Sequence, residues 1–304
     1  MKLSLDGRSI ETHRDDKVLF PGDGRTKADV IAYYRDVAGL MLPHLENRCL
    51  TLERYPDGID EPGFYQQNYA DHFPDYVTRR PLPTADGDDT VDHIVVDEPA
   101  ALVYLADQGT ITFHGWLARA DAPRHPDRLV FDLDPADDDF RVVVDAARLV
   151  REVLELSGLV PFVMTSGSRG LHVSAPLDGH LDFDAARRLA ATLAEAVVDR
   201  DPRRFTVAQR KAARRGRLYL DVARNAYGQT AVLPYSLRAR PGAPAATPLD
   251  WRELSRSDLG PQRYGIANLR RRLARKDDPF ARYASRARRP ELDRDALARW
   301  RRGG

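Results

Sequence analysis

The chain has 304 residues, of which 42% are hydrophobic, and its 47 Lys and Arg residues almost balance 46 Asp and Glu residues. This composition predicts a globular protein rather than a disordered one, and no run of about 18 apolar residues exists to span a membrane. The opening residues lack the apolar region of a signal peptide, so we expect a cytoplasmic protein. A single cysteine, Cys49, excludes an internal disulfide and is expected to be buried.

The net charge of +1 hides an uneven distribution of charge along the chain. Seven Lys and Arg residues and no acid occur between Arg203 and Arg217, and residues 261–304 carry fourteen Lys and Arg against five Asp and Glu. Basic segments of this kind fit a surface that binds a polyanion such as nucleic acid. The alternative is an Arg-rich surface that reflects only the base composition of the gene.

Hydrophobic periodicity predicts helices and strands in alternation along the chain. Helices are expected where apolar residues recur with helical spacing, at Thr26–Leu45 with Thr26 as N-cap, Asp138–Ser157 and Asp184–Asp199. Strands are expected where β-branched and aromatic residues lie between turn formers, at Gly109–Ala118, Arg128–Asp134, Val160–Thr165, Leu171–Leu177, Arg217–Ala223 and Thr230–Ser236. The Pro-rich residues 238–251 are expected to be an extended connector before a last, basic helical region. These elements predict an α/β or α+β fold with mixed or antiparallel sheets flanked by helices.

Two aspartates, Asp132 and Asp134, end a predicted strand in the stretch "LVFDLDP". Side chains alternate along a strand, so both carboxylates point to one face while Leu133 points into the core. Their repulsion is costly unless a cation lies between them, which indicates a divalent metal site. The following Asp137 to Asp139 are better explained as turn and N-cap residues.

A third carboxylate, Asp221, ends another apolar strand in "RLYLDVARN". Three aspartates on neighbouring strands can hold two metal ions in a nucleotidyl transferase. Asp221 is explained equally well as a strand-end turn former. The loop "TSGSRGLHV" (165–173) has small residues and backbone amides that could bind phosphate, although His172 and His114 could each be core residues.

Ordered motifs along the chain resemble those of one known family, the polymerase domain of bacterial ligase D, a branch of the archaeo-eukaryotic primase superfamily. The resemblance covers about 230 residues and rests on the motifs "DKVLFPGDGRTKADVIAYY", "RYPDGID", "GFYQQN", "TFHGWLAR", "VFDLDP", "TSGSRGLHVSAPL" and "DVARNAYGQTAVLPYSLRARPGAPAATPLDW". It implies a primase-like catalytic core. It also implies a single domain over residues 1–290, with a DNA-binding part to about residue 105, a catalytic core over about 106–260, and a basic tail over 291–304.

The resemblance also implies roles for individual residues, motif by motif. The metal-binding and catalytic carboxylates would be Asp132, Asp134 and Asp221. The incoming nucleotide would be bound by His114, Ser166, Arg169, His172, Arg214, Arg224 and Arg238. The 5′-phosphate beyond a gap would be bound by Lys17 and Lys27, and the template strand would stack on Phe64 and Tyr65.

Three positions depart from the pattern of the family. The phosphate loop has Arg169 where lysine is common, and Gln67 stands where the family commonly has lysine. The asparagine usual before Lys17 is replaced by His13 and Arg14. Two of these changes fall in the region implied for the 5′-phosphate, so recognition of the DNA end is the less secure expectation.

Together these features predict a nucleotidyl transferase that extends a primer 3′-hydroxyl at DNA gaps or double-strand breaks. The resemblance implies manganese or magnesium as cofactor, a preference for NTPs over dNTPs, and a bacterial, nucleoid-associated enzyme. The polymerase motifs occupy most of the chain, so we expect a freestanding form, which could serve end joining with Ku and a separate DNA ligase, gap filling in excision repair, or priming. The alternatives are a primase that makes short primers, a non-catalytic scaffold that binds DNA ends, and a metal phosphoesterase.

Overall fold

The computed structural model describes residues 2–303. The strands are, in chain order, β1 (Lys2–Leu5), β2 (Arg8–Glu11), β3 (Val18–Phe20), β4 (Arg25–Thr26), β5 (Leu50–Arg54), β6 (Phe64–Gln66), β7 (Thr78–Pro83), β8 (Thr90–Val95), β9 (Thr110–Trp116), β10 (Arg128–Asp134), β11 (Phe162–Thr165), β12 (Leu171–Pro176), β13 (Phe205–Thr206), β14 (Leu218–Asp221), β15 (Thr230–Val232) and β16 (Pro248–Leu249). The α-helices are α1 (Lys27–Leu45), α2 (Pro99–Asp107), α3 (Phe140–Leu156), α4 (Phe183–Arg200), α5 (Lys211–Arg214), α6 (Leu269–Leu273) and α7 (Arg294–Arg301). Within residues 2–303, no helix has both the length and the apolar character needed to cross a bilayer.

The chain forms two compact units, each assembled from separate segments. The first unit consists of the chain up to Asp121 with Thr230–Thr247 and Tyr264–Asp278. The second consists of Ala122–Gln229, Pro248–Arg263 and the chain from Pro279 onward. The strand β9, which carries His114, therefore belongs with the N-terminal strands in the first unit.

The second unit is built on a six-stranded sheet with the order β13-β14-β10-β12-β11-β16. All neighbours in this sheet are antiparallel except β13 and β14, which are parallel. Helices α3 and α4 pack against the sheet and against each other. This mixed sheet with covering helices agrees with the fold class predicted from the sequence.

The first unit contains a sheet with the order β15-β9-β5-β8-β7, in which β6 also pairs with β5. Helices α1 and α2 pack together in this unit. Thr26 caps α1, since its hydroxyl accepts a hydrogen bond from the Asp29 amide while the Asp29 carboxylate accepts one from the Thr26 amide. This reciprocal cap confirms the helix start predicted at Thr26. Cys49, just before β5, is fully buried, as the sequence predicted.

Two segments differ from the sequence-based expectation. The strand expected at Thr230–Ser236 ends at Val232, and the chain turns at Pro234 and Tyr235, where Tyr235 adopts a positive φ of 67° that is incompatible with a strand. Residues 238–251, expected to be an extended connector, are packed rather than open. Ala245 forms a bridge with Leu237, and Pro244 with Gly265, so this backbone finds hydrogen-bond partners inside the unit.

The basic C-terminal region contains short helices rather than one long helix. The last of them, α7, packs on α3 and α4 in the second unit. Leu297 is its buried residue, and the Trp300 indole donates a 2.8 Å hydrogen bond to Glu152. The segment expected to be a basic tail is therefore docked on the helical layer of its unit.

Candidate active site

Asp132 lies in a row of three polar residues that crosses adjacent strands of the second unit. The register pairs Asp132 with His172 on β12 and with Asp221 on β14. Directly opposite residues in an antiparallel pair have Cβ atoms about 4.5–5.5 Å apart, so the three side chains share one face of the sheet. Leu133 is fully buried, as expected for the alternate face of β10.

Asp134 lies on the same face, two residues further along β10. Its register partner on β14 is Tyr219. The Arg214 guanidinium forms a 2.9 Å ion pair with the Asp134 carboxylate and lies 3.9 Å from the centroid of the Tyr219 ring. Its remaining nitrogens donate to backbone oxygens at 3.1 and 3.3 Å. Arg214, more than 70 residues away in sequence, is thus fixed beside this carboxylate.

The other two aspartates also have polar partners. The His172 Nε2 atom lies 3.3 Å from an Asp132 oxygen. Asp221 accepts hydrogen bonds from the Ala223 amide at 2.8 Å and from the Tyr219 hydroxyl at 3.2 Å. Burial and the neighbouring Asp221 carboxylate raise the pKa of Tyr219 to about 12, so this hydroxyl stays protonated and remains a donor.

Side-chain conformation matters for metal binding at this row. No group of three or more His, Cys, Asp or Glu side chains in the described part of the chain is arranged as a metal site. Asp132 is turned toward His172 and Asp134 toward Arg214, while the backbone register keeps all three aspartates on one face. Convergence of the carboxylates on a cation therefore requires side-chain rotation and no change of strand register.

The loop between β11 and β12 approaches the aspartate-bearing strand closely. Ser166 is buried, and its hydroxyl accepts hydrogen bonds from the amides of Ser168 at 3.2 Å and Gly170 at 3.1 Å. A Cβ atom at Gly170 would overlap the carbonyl oxygen of Leu133, so only glycine fits there. Arg169 is exposed and donates to the Pro135 carbonyl at 3.2 Å.

Asn225 is a positioning residue that the sequence interpretation did not identify. It is 1% exposed, and its side-chain amide bonds the Val130 backbone on both sides, accepting from the N–H at 2.9 Å and donating to the C=O at 2.7 Å. It thereby ties the loop that follows Asp221 to the strand that carries Asp132. The only signal in the sequence is a polar amide soon after a strand end. Arg224, one residue earlier, is exposed.

Two of the expected nucleotide-binding residues belong to the first unit. His114 lies on β9, where its backbone pairs with Thr51 on β5 and Val232 on β15. Its Nε2 atom lies 3.7 Å from the carboxylate of Glu53, a residue that sequence reasoning also missed. Arg238 lies in the packed segment after β15, with its amide donating to Pro244 at 2.8 Å.

The two lysines expected at the 5′-phosphate have adjacent backbones but different partners. The Lys27 amide donates to the Lys17 carbonyl at 2.8 Å. The Lys17 ammonium forms an ion pair with Asp57, which lowers the pKa of that carboxyl. Lys27 is buried and forms a 2.8 Å ion pair with the buried Asp107. Lys17 is therefore the more accessible of the two cations, with a side chain 26% exposed.

Phe64 and Tyr65 lie on the short strand β6. They are among the exposed large hydrophobic residues, at 47% and 68%. The Arg54 guanidinium lies 5.2 Å from the Phe64 ring, and the Tyr65 and His114 ring centroids are 6.3 Å apart. Two exposed aromatic rings can stack on nucleic-acid bases, and their exposure contradicts the alternative of a core contact.

Comparison with known proteins places the chain in a family. The family described as "LigD, primase-polymerase domain" matches residues 26–280. The "Multifunctional non-homologous end joining DNA repair protein LigD" of Mycobacterium tuberculosis H37Rv is 34% identical over 296 residues, which are 94% of this chain and 38% of that protein. The "Bifunctional non-homologous end joining protein LigD" of Bacillus subtilis 168 is 32% identical over 267 residues, 87% of this chain and 42% of that protein.

Thus the chain spans only about two fifths of the length of these curated relatives. A solved structure described as "Polymerase Domain from Mycobacterium tuberculosis Ligase D in complex with DNA" matches with a TM-score of 0.85 at 31% identity. The match covers 92% of this chain and 99% of that one. It confirms the primase-like core implied by the sequence motifs, and with the family match it shows that the chain belongs to the LigD primase-polymerase domain family.

Proposed function

We propose that the chain is a template-directed nucleotidyl transferase that extends a primer 3′-hydroxyl at DNA gaps or double-strand breaks, with a preference for NTPs. The observation that carries the proposal is the opposed pair Asp132 and Asp221 with Asp134 on the same face. Membership in a primase-polymerase family supports the reaction type. The solved relative is a polymerase domain in complex with DNA, which supports DNA as the substrate.

The aspartate face fits divalent cations chemically. Opposed carboxylates on neighbouring strands repel one another unless positive charge lies between them, and oxygen ligands suit Mg²⁺ and Mn²⁺. In the proposal, Asp132, Asp134 and Asp221 hold two such ions. When bound, these ions would lower the pKa of the primer hydroxyl and offset the charge of the triphosphate.

Residues around the aspartates have distinct tasks in the proposal. The Ser166 hydroxyl, which accepts from the Ser168 and Gly170 amides, would donate its own proton to a phosphate oxygen. Arg169 and Arg224, both exposed, would add positive charge for the triphosphate. Attack of the primer oxygen on the α-phosphorus then releases pyrophosphate, and the protein contributes mainly by positioning the reactants.

Recognition of the DNA would rest on the first unit. Lys17 would bind a 5′-phosphate by exchanging its partner Asp57 for the ligand, since an exposed ion pair is worth little. Phe64 and Tyr65 would stack on unpaired template bases. The relatives are named for non-homologous end joining, and we extend that role to this chain, together with Ku and a DNA ligase as partners.

Primer extension on a gapped duplex tests the proposal. We expect the wild type with Mn²⁺ to extend the primer, preferring NTPs, and the variant Asp132→Ala/Asp134→Ala to be inactive. The matched control is Asp138→Asn, which removes an exposed carboxylate just beyond the same strand. If the wild type binds the gapped duplex but extends no primer with either Mn²⁺ or Mg²⁺, the scaffold function is favoured instead. Nucleotide hydrolysis without a primer would indicate a phosphoesterase.

A further inference from the structure

The sheet of the first unit carries a nearly buried carboxylate on a polar face. Glu53 is the next-to-last residue of β5 and lies opposite Tyr65 on β6 and Thr112 on β9. Only 13% of its side chain is exposed, and the neighbouring Leu52 is fully buried on the alternate face. A carboxylate in such a position is costly unless it is paired.

Glu53 is paired through both of its oxygens. The His114 Nε2 atom lies 3.7 Å from Oε2, and the Tyr55 hydroxyl donates a 3.0 Å hydrogen bond to Oε1. Burial alone would raise the pKa of Glu53, but His114 and the nearby hydroxyls outweigh it and lower the pKa to about 2. Burial and Glu53 together raise the pKa of Tyr55 to about 12, so Tyr55 stays a donor.

The contact also constrains His114. Its side chain is 16% exposed, and its register places it on the same face as Glu53, diagonally across β5 and β9. An anionic carboxylate beside an imidazole favours the cation, in which both ring nitrogens carry a proton. One N–H then faces Glu53.

We propose that Glu53 is a positioning residue that holds the His114 ring in the orientation and charge needed to bind the incoming nucleotide. The inference rests on the proposed function and on the role that the family resemblance implies for His114, which is contact with the incoming nucleotide. It adds to that function a carboxylate on a different strand, acting through the imidazole and not on the substrate. Tyr55 supports the arrangement by fixing the second oxygen of Glu53.

A double-mutant cycle tests the assignment. The variants are Glu53→Gln, His114→Gln and the double variant, and the control is Glu61→Gln, an exposed acid in the same unit. Removing one partner of a largely buried charged pair leaves the other uncompensated, so we expect each single change to raise the nucleotide KM by about tenfold. Because Glu53 acts through His114, the double variant should match His114→Gln, and the control should match the wild type. Binding of the gapped duplex should not change.

A second measurement does not depend on turnover. The ¹⁵N signals of the His114 ring, recorded at pH 7 without nucleotide, distinguish cationic from neutral imidazole, and Glu53→Gln should shift them toward the neutral form. Two outcomes would overturn the assignment and leave Glu53 with a structural role only. One is a double variant in which the free-energy effects of the two single changes on KM add, and the other is a Glu53→Gln variant whose His114 ring signals match those of the wild type. If the wild type fails to extend primers, the proposed function is refuted, and the ring signals still decide whether Glu53 sets the state of His114.

Discussion

Replacing Gly170 with alanine tests how closely the loop between β11 and β12 approaches the strand that carries two of the aspartates. The φ angle of Gly170 is not positive, so alanine would meet no backbone strain there. The obstacle is steric. The added methyl carbon would overlap the Leu133 carbonyl oxygen and lie 3.0 Å from its carbon and 3.3 Å from Pro135 Cδ. Either the loop or β10 must therefore move.

The size of the effect follows from that overlap. Ordinary contact between nonbonded atoms lies near 3.5 Å, so the backbone has to retreat by roughly 1–2 Å. Overpacking of this kind costs about 1–3 kcal/mol, which corresponds to a decrease in Tm of roughly 2–12 °C for a unit of this size. Since Leu133 lies between Asp132 and Asp134, the retreat displaces both carboxylates. A misplacement of about 1 Å can cost roughly 100-fold in rate.

The assay compares Gly170→Ala with Gly260→Ala in thermal unfolding and in primer extension with Mn²⁺. Gly260 also lacks a positive φ, and a Cβ atom there meets no atom of the described chain within 4 Å. We expect Gly260→Ala to behave like the wild type, and Gly170→Ala to unfold earlier and to extend primers far more slowly. Equal Tm and equal rate for the two variants would refute the claim that the loop and β10 are in forced contact.

Three further changes test other features. Asn225→Ala removes three hydrogen bonds to the backbone, two with Val130 and one with Val222. It should lower the free energy of unfolding by about 1–3 kcal/mol in urea titration and slow primer extension. An unchanged unfolding midpoint would contradict the claim that Asn225 links the loop after Asp221 to β10. Lys27→Met leaves the Asp107 carboxylate buried without the lysine ammonium, so we expect the free energy of unfolding to fall by about 3–5 kcal/mol. Adding Asp107→Asn should restore most of this loss. An unaltered Tm in Lys27→Met would argue against the buried pair. Phe64→Ala/Tyr65→Ala should weaken binding of single-stranded template, measured by fluorescence anisotropy, by about 1–3 kcal/mol per stacked base, while the Tm stays unchanged. An affinity equal to that of the wild type would exclude stacking on these rings.

Local patterns in the sequence predicted much of the fold. The strand expected at Arg128–Asp134 has those bounds in the structure, and Thr26 and Asp139 cap α1 and α3 as their spacing indicated. These features depend on periodicity of 2 or 3.6 residues and on hydrogen bonds within one helical turn, which are visible in a short window. The family resemblance, which rests on ordered motifs, is confirmed by the comparisons.

Partners distant in the chain could not be predicted in this way. Asp134 pairs with Arg214, 80 residues away, and Lys27 with Asp107, also 80 residues away. Nothing in the sequence around either residue indicates its partner, because these contacts arise only when the strands and helices have packed. The same holds for Gly170, because only the position of the Leu133 carbonyl oxygen, in another strand, excludes a Cβ atom there.

The burial of Cys49 has a practical consequence for labelling. The chain contains this single cysteine, and burial raises the pKa of its thiol to about 12, so the reactive thiolate is scarce at neutral pH. A cysteine introduced at an exposed position, for example by Glu61→Cys, would then be the only thiol that a maleimide dye reaches. Site-specific fluorophores can therefore be attached to this protein without first replacing the native cysteine.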